Sequence, residues 1–191
     1  MSNVPADGGS QRNERPETAR VFFALWPPPE VAQQLSAVAD AFAQYAGGRV
    51  THQATVHLTL AFIGDVTLER LPDLERAARN VRAEAFDLTL DQFGLWHHNR
   101  IFWAGCSAVP PALVELASAL SAVLQAAGFK VADARRNFTP HVTLVRKVKA
   151  LVAPLPPGQT LPWRCTKFVL VRSQLSASGA SYQTLAEFSL S

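Results

Sequence analysis

One short pattern occurs twice in this chain, and it constrains the fold more than any other feature. His57-Leu58-Thr59-Leu60 and His141-Val142-Thr143-Leu144 both have the form His-x-Thr-x, and both lie in apolar runs. Side chains alternate between the two faces of a strand. Each motif therefore predicts a strand that shows an imidazole and a hydroxyl on one face and buries two aliphatic side chains on the other. If the two polar faces meet across a cleft, two proton-transfer groups lie beside two hydroxyl donors.

Composition limits the function classes that fit. The 191 residues are 48% hydrophobic, which is enough for the core of one compact domain. Charged residues make up only 17%, and the formal net charge is +3. This mild positive charge suits an anionic substrate but does not by itself indicate a long nucleic-acid groove.

Cysteine usage and the chain ends indicate a cytoplasmic protein. Cys106 and Cys165 are far apart and form no C-x-x-C or zinc pattern, so they are expected to be buried free thiols. No apolar stretch is long enough to span a membrane. Residues 1–19 lack the apolar segment of a secretory signal and are expected to be a disordered tail, followed by one bilobal domain over 20–191. A monomer is the default expectation.

Hydrophobic periodicity and turn residues predict an α+β fold with mainly antiparallel pairing. Strands are expected over 20–26, 56–66, 86–96, 101–106, 141–148, 166–175 and 182–190, and helices over 30–45, 67–82 and from Pro110-Pro111 to Gly128, with Thr67 as a helix cap, 97–100 as a turn and 152–162 as a loop. A helix precedes each motif strand. This repetition predicts two pseudo-symmetric lobes with outer helices and a central cleft lined by the two motif strands.

The paired motif suits the opening of a cyclic phosphodiester. Histidine titrates near neutral pH, so one ring can deprotonate water while the other protonates the departing ribose oxygen. Thr59 and Thr143 can donate to the non-bridging phosphate oxygens. This scheme requires neither a metal nor a cofactor. A single histidine in a strand is more often a structural residue, and threonine is a common strand former, but the duplication favours a catalytic role.

The remaining histidines and cations are weaker candidates. His52 is expected at the surface, and His97 and His98 in a solvated turn, since no ligands at metal-binding spacing accompany them. Two basic runs flank the second motif, Arg135-Arg136 and Arg146-Lys147-Lys149. They are either solvated surface or phosphate contacts. No glycine-rich phosphate loop is present in the sequence.

Four blocks in order resemble the two-histidine (2H) phosphoesterase superfamily, in particular its bacterial RNA 2′,3′-cyclic phosphodiesterase branch, historically called 2′-5′ RNA ligase. The blocks are 20–25, 56–65, 138–146 and 169–175, the last followed by Gly179 and Tyr182. The resemblance covers most of the chain apart from the N-terminal tail. Thr55-Val56 departs from the Asn-Leu or similar pair common at that place, which bears on the support of His57.

The resemblance implies hydrolysis of an RNA terminal 2′,3′-cyclic phosphate to a 2′-phosphate without metal or cofactor. It implies that His57 donates a proton to the 3′ oxygen, that His141 is the base acting on water, and that Thr59 and Thr143 hold phosphate oxygens. It also implies that Arg146 contacts phosphate or RNA. Strict alternation instead puts Arg146 on the face of Leu144, unless the strand ends or bulges first.

Other functions remain open at this point. The same fold could join RNA ends, such as tRNA halves, through an ATP-independent 2′-5′ linkage, or cleave small cyclic phosphodiesters. A non-catalytic RNA-binding module would instead need Phe22, Phe23 and Trp26 exposed for base stacking, whereas their apolar neighbours favour core packing.

Overall fold

The computed structural model describes residues 16–132, 138–150, 155–157, 159–176 and 179–191. The strands are β1 Thr18–Leu25, β2 Arg49–Val50, β3 Leu58–Thr67, β4 Phe86–Leu90, β5 Gln92–Trp96, β6 Ile101–Gly105, β7 His141–Arg146, β8 Leu161–Cys165, β9 Lys167–Ser176 and β10 Gly179–Ser189. The helices are α1 Pro29–Ala46, α2 Leu71–Ala78 and α3 Pro111–Ala126. None of the helices in these residues is long and apolar enough to cross a membrane.

The strands form one large sheet and one small sheet, and all the pairings are antiparallel. The large sheet has the order β10-β9-β1-β3-β7-β6-β5, with β2 paired to β7. The small sheet consists of β4 and β8. The α+β prediction is confirmed, and the two motif strands, β3 and β7, are neighbours at the centre of the large sheet.

The strand order is matched on the two sides of the β3–β7 boundary. β1, α1 and β3 in one half correspond to β6, α3 and β7 in the other, and both strand pairs are antiparallel. Helix α1 packs against β7, while α3 packs against β3. Each half therefore supplies the helix that covers the other half's motif strand, and this exchange ties the two lobes together around the predicted central cleft.

The core lies behind the two motifs, where the predicted aliphatic faces are buried. Leu58 and Val142 have no exposed surface, and Phe42 of α1 stacks on Phe102 of β6 with ring centroids 3.8 Å apart. Fully burying one such side chain contributes about 1.5–3 kcal/mol. Proline at the first turn of α1 and α3 fixes where each helix begins. The motif strands therefore pack on their buried side against helices whose first turns are fixed by proline.

Several predicted elements differ from the structure. The segment predicted as one strand over 86–96 divides at Asp91, whose carboxylate accepts hydrogen bonds from the Ser107 backbone N–H and hydroxyl. β4 then joins the small sheet, while β5 joins the large one. Helix α2 ends at Ala78 rather than near Arg82, and the side chain of Thr67 makes no capping hydrogen bond to the 3₁₀ turn that precedes the helix.

The loop prediction for 152–162 was wrong at its C-terminal end, where β8 begins at Leu161. Pro162 is tolerated in this strand because a two-stranded sheet leaves one edge of each strand unpaired. Residues 151–154 and 158 lie outside the described residues. β1 begins at Thr18, two residues before the predicted start, because Thr18 and Ala19 pair with the end of β3. The tail prediction for 1–15 falls outside the described residues. Both cysteines are free; Cys165 is buried and Cys106 is partly buried.

Candidate active site

The four motif side chains share one face of the sheet at the β3–β7 boundary. Leu58 pairs with Val142. By this antiparallel register His57 lies opposite Thr143, and His141 lies opposite Thr59. Directly opposed side chains begin about 4.5–5.5 Å apart and diagonal ones about 7–8 Å apart. All four residues are partly exposed, whereas Leu58 and Val142 between them are buried, so the predicted alternation holds.

The His57 ring is oriented by a backbone carbonyl. Its Nδ1 lies 2.7 Å from the Thr55 carbonyl oxygen. A carbonyl only accepts, so Nδ1 carries the proton and Nε2 keeps its lone pair in the neutral ring. Thr55 ends a 3₁₀ turn, Gln53–Thr55, that is capped by His52, whose Nδ1 accepts from the Ala54 N–H at 3.2 Å. His52 is exposed, as predicted, and it also stabilises the turn that holds His57.

His141 is oriented in the same way. Its Nδ1 lies 2.9 Å from the Thr139 carbonyl oxygen, two residues before it, as Thr55 lies two residues before His57. By the same reasoning Nδ1 donates and Nε2 keeps its lone pair. The two halves therefore present the same tautomer of both rings, which is a feature that the sequence motif alone does not reveal.

Aromatic rings pack around both imidazoles, and they differ between the halves. The centroid of the His57 ring lies 4.8 Å from the ring centroid of Phe22, 5.3 Å from that of Tyr182 and 5.6 Å from that of Trp26. The His57 ring stacks on Trp26. Phe22 and Phe23 are buried, as the apolar context predicted. Phe22 packs beside His57, Phe23 packs in the core against Phe168 and Phe188, and Trp26 is partly exposed.

On the other side, Trp96 meets the His141 ring edge-on at 4.5 Å and packs on Trp103 at 5.4 Å. Two glycines make room for the Trp103 indole: a Cβ at Gly94 would overlap the ring, and one at Gly105 would lie 2.8 Å from it. This arrangement is not evident from the sequence motifs. The pairing of two tryptophans with two glycines on adjacent predicted strands was its only signal.

Burial and charge lower the pKa of both histidines. Desolvation by burial is the main cause for His57, whose pKa falls to about 4, and the Arg146 and His141 charges lower it further. The hydrogen bond to the Thr55 carbonyl acts in the opposite direction. Burial also lowers the pKa of His141, again with a contribution from Arg146 and opposed by its carbonyl hydrogen bond. Both rings are therefore mainly neutral at pH 7.

Arg146 reaches this site because β7 is irregular. Phe102 pairs with Val145 but Trp103 pairs with Thr143, so Leu144 has no partner in β6. Leu144 and Val145 are both buried, and the next residue, Arg146, is again partly exposed. The bulge puts Arg146 on the same side of the strand as Thr143, whereas strict alternation would put it on the opposite side. This position agrees with the electrostatic effect of Arg146 on both imidazoles.

A cavity of about 760 Å³ opens beside the motif residues, between β3, α3 and the turn after β5. Thr59, His141, Trp96 and His98 are among the residues that line it. His97 and His98 lie in the predicted turn and are exposed. Lys147 and Lys149 are also exposed, and Arg135-Arg136 lies outside the described residues. Within the described ranges, no three His, Cys, Asp or Glu residues are grouped so as to hold a metal ion.

Comparison with known proteins places this chain in one class of enzyme. A family model described as LigT-like phosphoesterase matches residues 25–103. The RNA 2′,3′-cyclic phosphodiesterase of Escherichia coli (strain K12) is 33% identical over 174 residues, which is 91% of this chain and 98% of that protein. The enzyme of the same name from Thermus thermophilus is 32% identical, covering 90% of each chain.

A solved structure agrees with these matches. The crystal structure of E. coli LigT complexed with 3′-AMP superposes with a TM-score of 0.83, at 32% identity, over 91% of this chain and 99% of that one. The fold and the doubled motif thus define a two-histidine phosphoesterase, which is a class of enzyme. Within that class, the chain belongs to the LigT-like phosphoesterase family.

Proposed function

We propose that this enzyme hydrolyses the 2′,3′-cyclic phosphate at an RNA end to a 2′-phosphate, by acid and base catalysis from His57 and His141 without a metal or cofactor. Two relatives, each matched over about nine-tenths of this chain, carry the name RNA 2′,3′-cyclic phosphodiesterase. The observation that carries the proposal is the matched setting of the two rings. Each lies beside the other strand's threonine, and each donates from Nδ1 to a carbonyl two residues earlier.

The two Nε2 atoms supply the proton transfers. His141 takes a proton from water as the water oxygen bonds to phosphorus, and the bond from phosphorus to the 3′ oxygen breaks. His57 gives a proton to that 3′ oxygen, which leaves a 2′-phosphate and a 3′-hydroxyl. Each transfer contributes about 10²–10⁴-fold. Because each Nδ1–H is held by a carbonyl, each ring presents Nε2 for proton exchange without having to change its tautomer.

Charge on the phosphate matches the electrostatics of the site. The free rings are mainly neutral, because burial and Arg146 lower both pKa values. A bound phosphodiester brings a negative charge beside them, and a nearby negative charge raises the pKa of an imidazole. Substrate binding therefore favours the uptake of the proton that His57 later donates.

Thr59, Thr143 and Arg146 stabilise the phosphoryl group in this mechanism. The two hydroxyls donate to the non-bridging oxygens, where negative charge accumulates during attack. Arg146 adds a positively charged donor, which forms a stronger hydrogen bond than a neutral one. The bulge at Leu144 supports this role for Arg146 because it brings the residue back to the side of Thr143.

The test uses a short RNA that ends in a 2′,3′-cyclic phosphate, with the product isomer identified by mass spectrometry and nuclease sensitivity. We expect a 2′-phosphate, a loss of about 10²–10⁴-fold in His57→Ala and in His141→Ala, and no effect of EDTA. His97→Ala is the matched control, because His97 is exposed and outside the cavity lining. Full activity in either motif variant, or a 3′-phosphate product, would overturn the proposal.

The same experiment separates the other functions. Adding an RNA with a 5′-hydroxyl end would give a 2′-5′ linked product if ligation is the main activity. Tight binding without turnover would indicate an RNA-binding module. The burial of Phe22 and Phe23 counts against the binding module, because those rings are not available to stack on bases.

A further inference from the structure

Arg49 of the short strand β2 lies next to Arg146 on the face of the sheet that carries the two motifs. β2 is antiparallel to β7, and Arg49 is directly opposite Arg146. Directly opposed residues project from the same face of a sheet, with Cβ atoms about 4.5–5.5 Å apart. The bulge in β7 places Arg146 on the side of Thr143, so Arg49 projects from that side as well.

These two guanidinium groups face each other without a balancing carboxylate. Within the described ranges, no Asp or Glu forms an ion pair with Arg49 or Arg146, whereas carboxylates do pair with Arg20, Arg164 and Lys167 elsewhere on the surface. Like charges directly opposite each other destabilise a sheet. Arg49 is exposed and Arg146 is partly exposed, so an anionic ligand can reach both and remove the repulsion.

The reacting phosphate accounts for only one of the two charges. In the proposed mechanism Arg146 contacts that phosphate, and Arg49 lies one strand farther from His141. Because of the bulge, Arg146 is two regular strand positions beyond Thr143, about 7 Å along β7. A cyclic phosphate ends an RNA chain on its 3′ side, so the next phosphate lies one nucleotide away on the 5′ side. The second guanidinium is therefore placed for a second phosphate.

Further cations surround this end of β7. The loop after β7 is held by two backbone hydrogen bonds, from the Val148 N–H to the Arg100 carbonyl and from the Lys149 N–H to the Ala46 carbonyl, each 3.1 Å long. Arg100, Lys147 and Lys149 are exposed, and none of them has an ion-pair partner in the part of the chain that the structure describes. Arginine and lysine are the main contacts of nucleic-acid phosphates. This surface therefore suits a polyanion that leaves the site along β2.

We propose that Arg49 binds the internucleotide phosphate on the 5′ side of the nucleotide that carries the cyclic phosphate. The inference rests on the proposed function and deepens it. It gives the reacting phosphate to Arg146 and the next phosphate to Arg49. The substrate class that follows is an RNA strand of at least two nucleotides, in preference to a nucleoside 2′,3′-cyclic phosphate, which has only one phosphate.

The test compares two dinucleotides that end in a 2′,3′-cyclic phosphate and differ only in the internucleotide linkage. One has the charged phosphodiester and the other an uncharged methylphosphonate, and both carry a 2′-O-methyl group on the first nucleotide. We expect kcat/KM to be about three- to fivefold higher for the charged dinucleotide at low ionic strength, mainly through KM, because an exposed ion pair makes a contribution of this size. The preference should shrink as salt is added, because salt screens exposed charges.

Arg49→Gln should reduce this preference to nearly one and leave kcat/KM on the methylphosphonate dinucleotide unchanged. On the charged dinucleotide, it should also lower the slope of log(kcat/KM) against log salt by about 0.7, which is the share of one phosphate contact in a single strand. Arg49→Lys keeps the charge and should retain most of the preference.

Arg82→Gln is the matched control, since Arg82 is an exposed arginine whose guanidinium donates to the Arg79 and Val81 carbonyls of its own segment. It should retain the full preference, and thermal melting should show that all the variants are folded. Equal kcat/KM for the two dinucleotides in the unmodified enzyme would overturn the inference while leaving the proposed function intact. An unchanged preference in folded Arg49→Gln, or an equal loss in Arg82→Gln, would overturn it as well. If the enzyme cleaves neither dinucleotide, the proposed function itself fails.

Discussion

Replacing Arg146 with glutamine tests the electrostatics of the site in two independent ways. In the proposed mechanism the guanidinium donates a charged hydrogen bond to a phosphate oxygen, and hydrogen bonds to charged groups contribute about 1.5–3 kcal/mol. At 1.36 kcal/mol for each factor of ten, kcat/KM should fall by about ten- to 150-fold. The fall should be measured on the cyclic-phosphate RNA under subsaturating conditions.

The same substitution should move the pH profile. Arg146 lowers the pKa of both His57 and His141, so its removal raises both values. The profile of kcat/KM reports the free enzyme. Its acidic limb and its basic limb should both shift to higher pH in Arg146→Gln. In the unmodified enzyme we expect the maximum below pH 6.5, because both pKa values are lowered from that reference.

Lys147→Gln is the matched control for Arg146→Gln. It removes the same formal charge from the next residue, which is exposed and is not a cause of either pKa shift. The control should leave the positions of both limbs unchanged. A loss of less than threefold in Arg146→Gln, with limbs that coincide with those of the unmodified enzyme, would refute the role assigned to the bulged strand.

Three further results are expected. Gly94→Ala forces the Trp103 ring to move. We therefore expect the free energy of unfolding, measured in urea, to fall by about 1–3 kcal/mol, and kcat to fall more than KM. An unchanged free energy of unfolding together with an unchanged kcat would contradict the packing argument. His57 has a folded pKa of about 4 against 6.5 in the unfolded chain, so it contributes stability that is present above pH 6.5 and is lost as the pH falls toward 4. Between pH 7 and pH 5, the free energy of unfolding of the unmodified enzyme should therefore fall by up to about 2 kcal/mol more than that of His57→Gln. His97→Gln should follow the unmodified enzyme. Parallel curves for all three proteins would reject this explanation. An RNA end with sulfur in place of the 3′ bridging oxygen needs little acid catalysis, so His57→Ala should recover most of its rate on it and His141→Ala should not; recovery in His141→Ala alone would reverse the two roles.

The motif predicted the centre of the fold because strand alternation is a local property. The burial of Leu58 and Val142, and the shared exposed face of the four motif side chains, follow from residue spacing alone. The pairing of β3 with β7 does not follow from spacing, because register depends on the whole sheet. The duplication nevertheless favoured a matched arrangement, and the strand order bears this out.

The features that could not be predicted from the sequence depend on contacts between distant segments of the chain. The bulge at Leu144 exists only in relation to β6, so alternation alone left the position of Arg146 open. β8 contains a proline and forms half of a two-stranded sheet, so its sequence resembles a loop. The packing of Trp96 on His141 requires the hairpin of β5 and β6 to lie beside β7.

The most direct test of the central claim, that His57 and His141 act on one phosphorus atom, is a double-mutant cycle on single-turnover cleavage of the cyclic-phosphate RNA. Groups that work as a unit give strongly non-additive effects. We expect His57→Ala combined with His141→Ala to be no more than a few-fold slower than the slower single variant. A double variant whose loss equals the product of the two single losses would contradict the account, because it would mean that the two rings contribute independently.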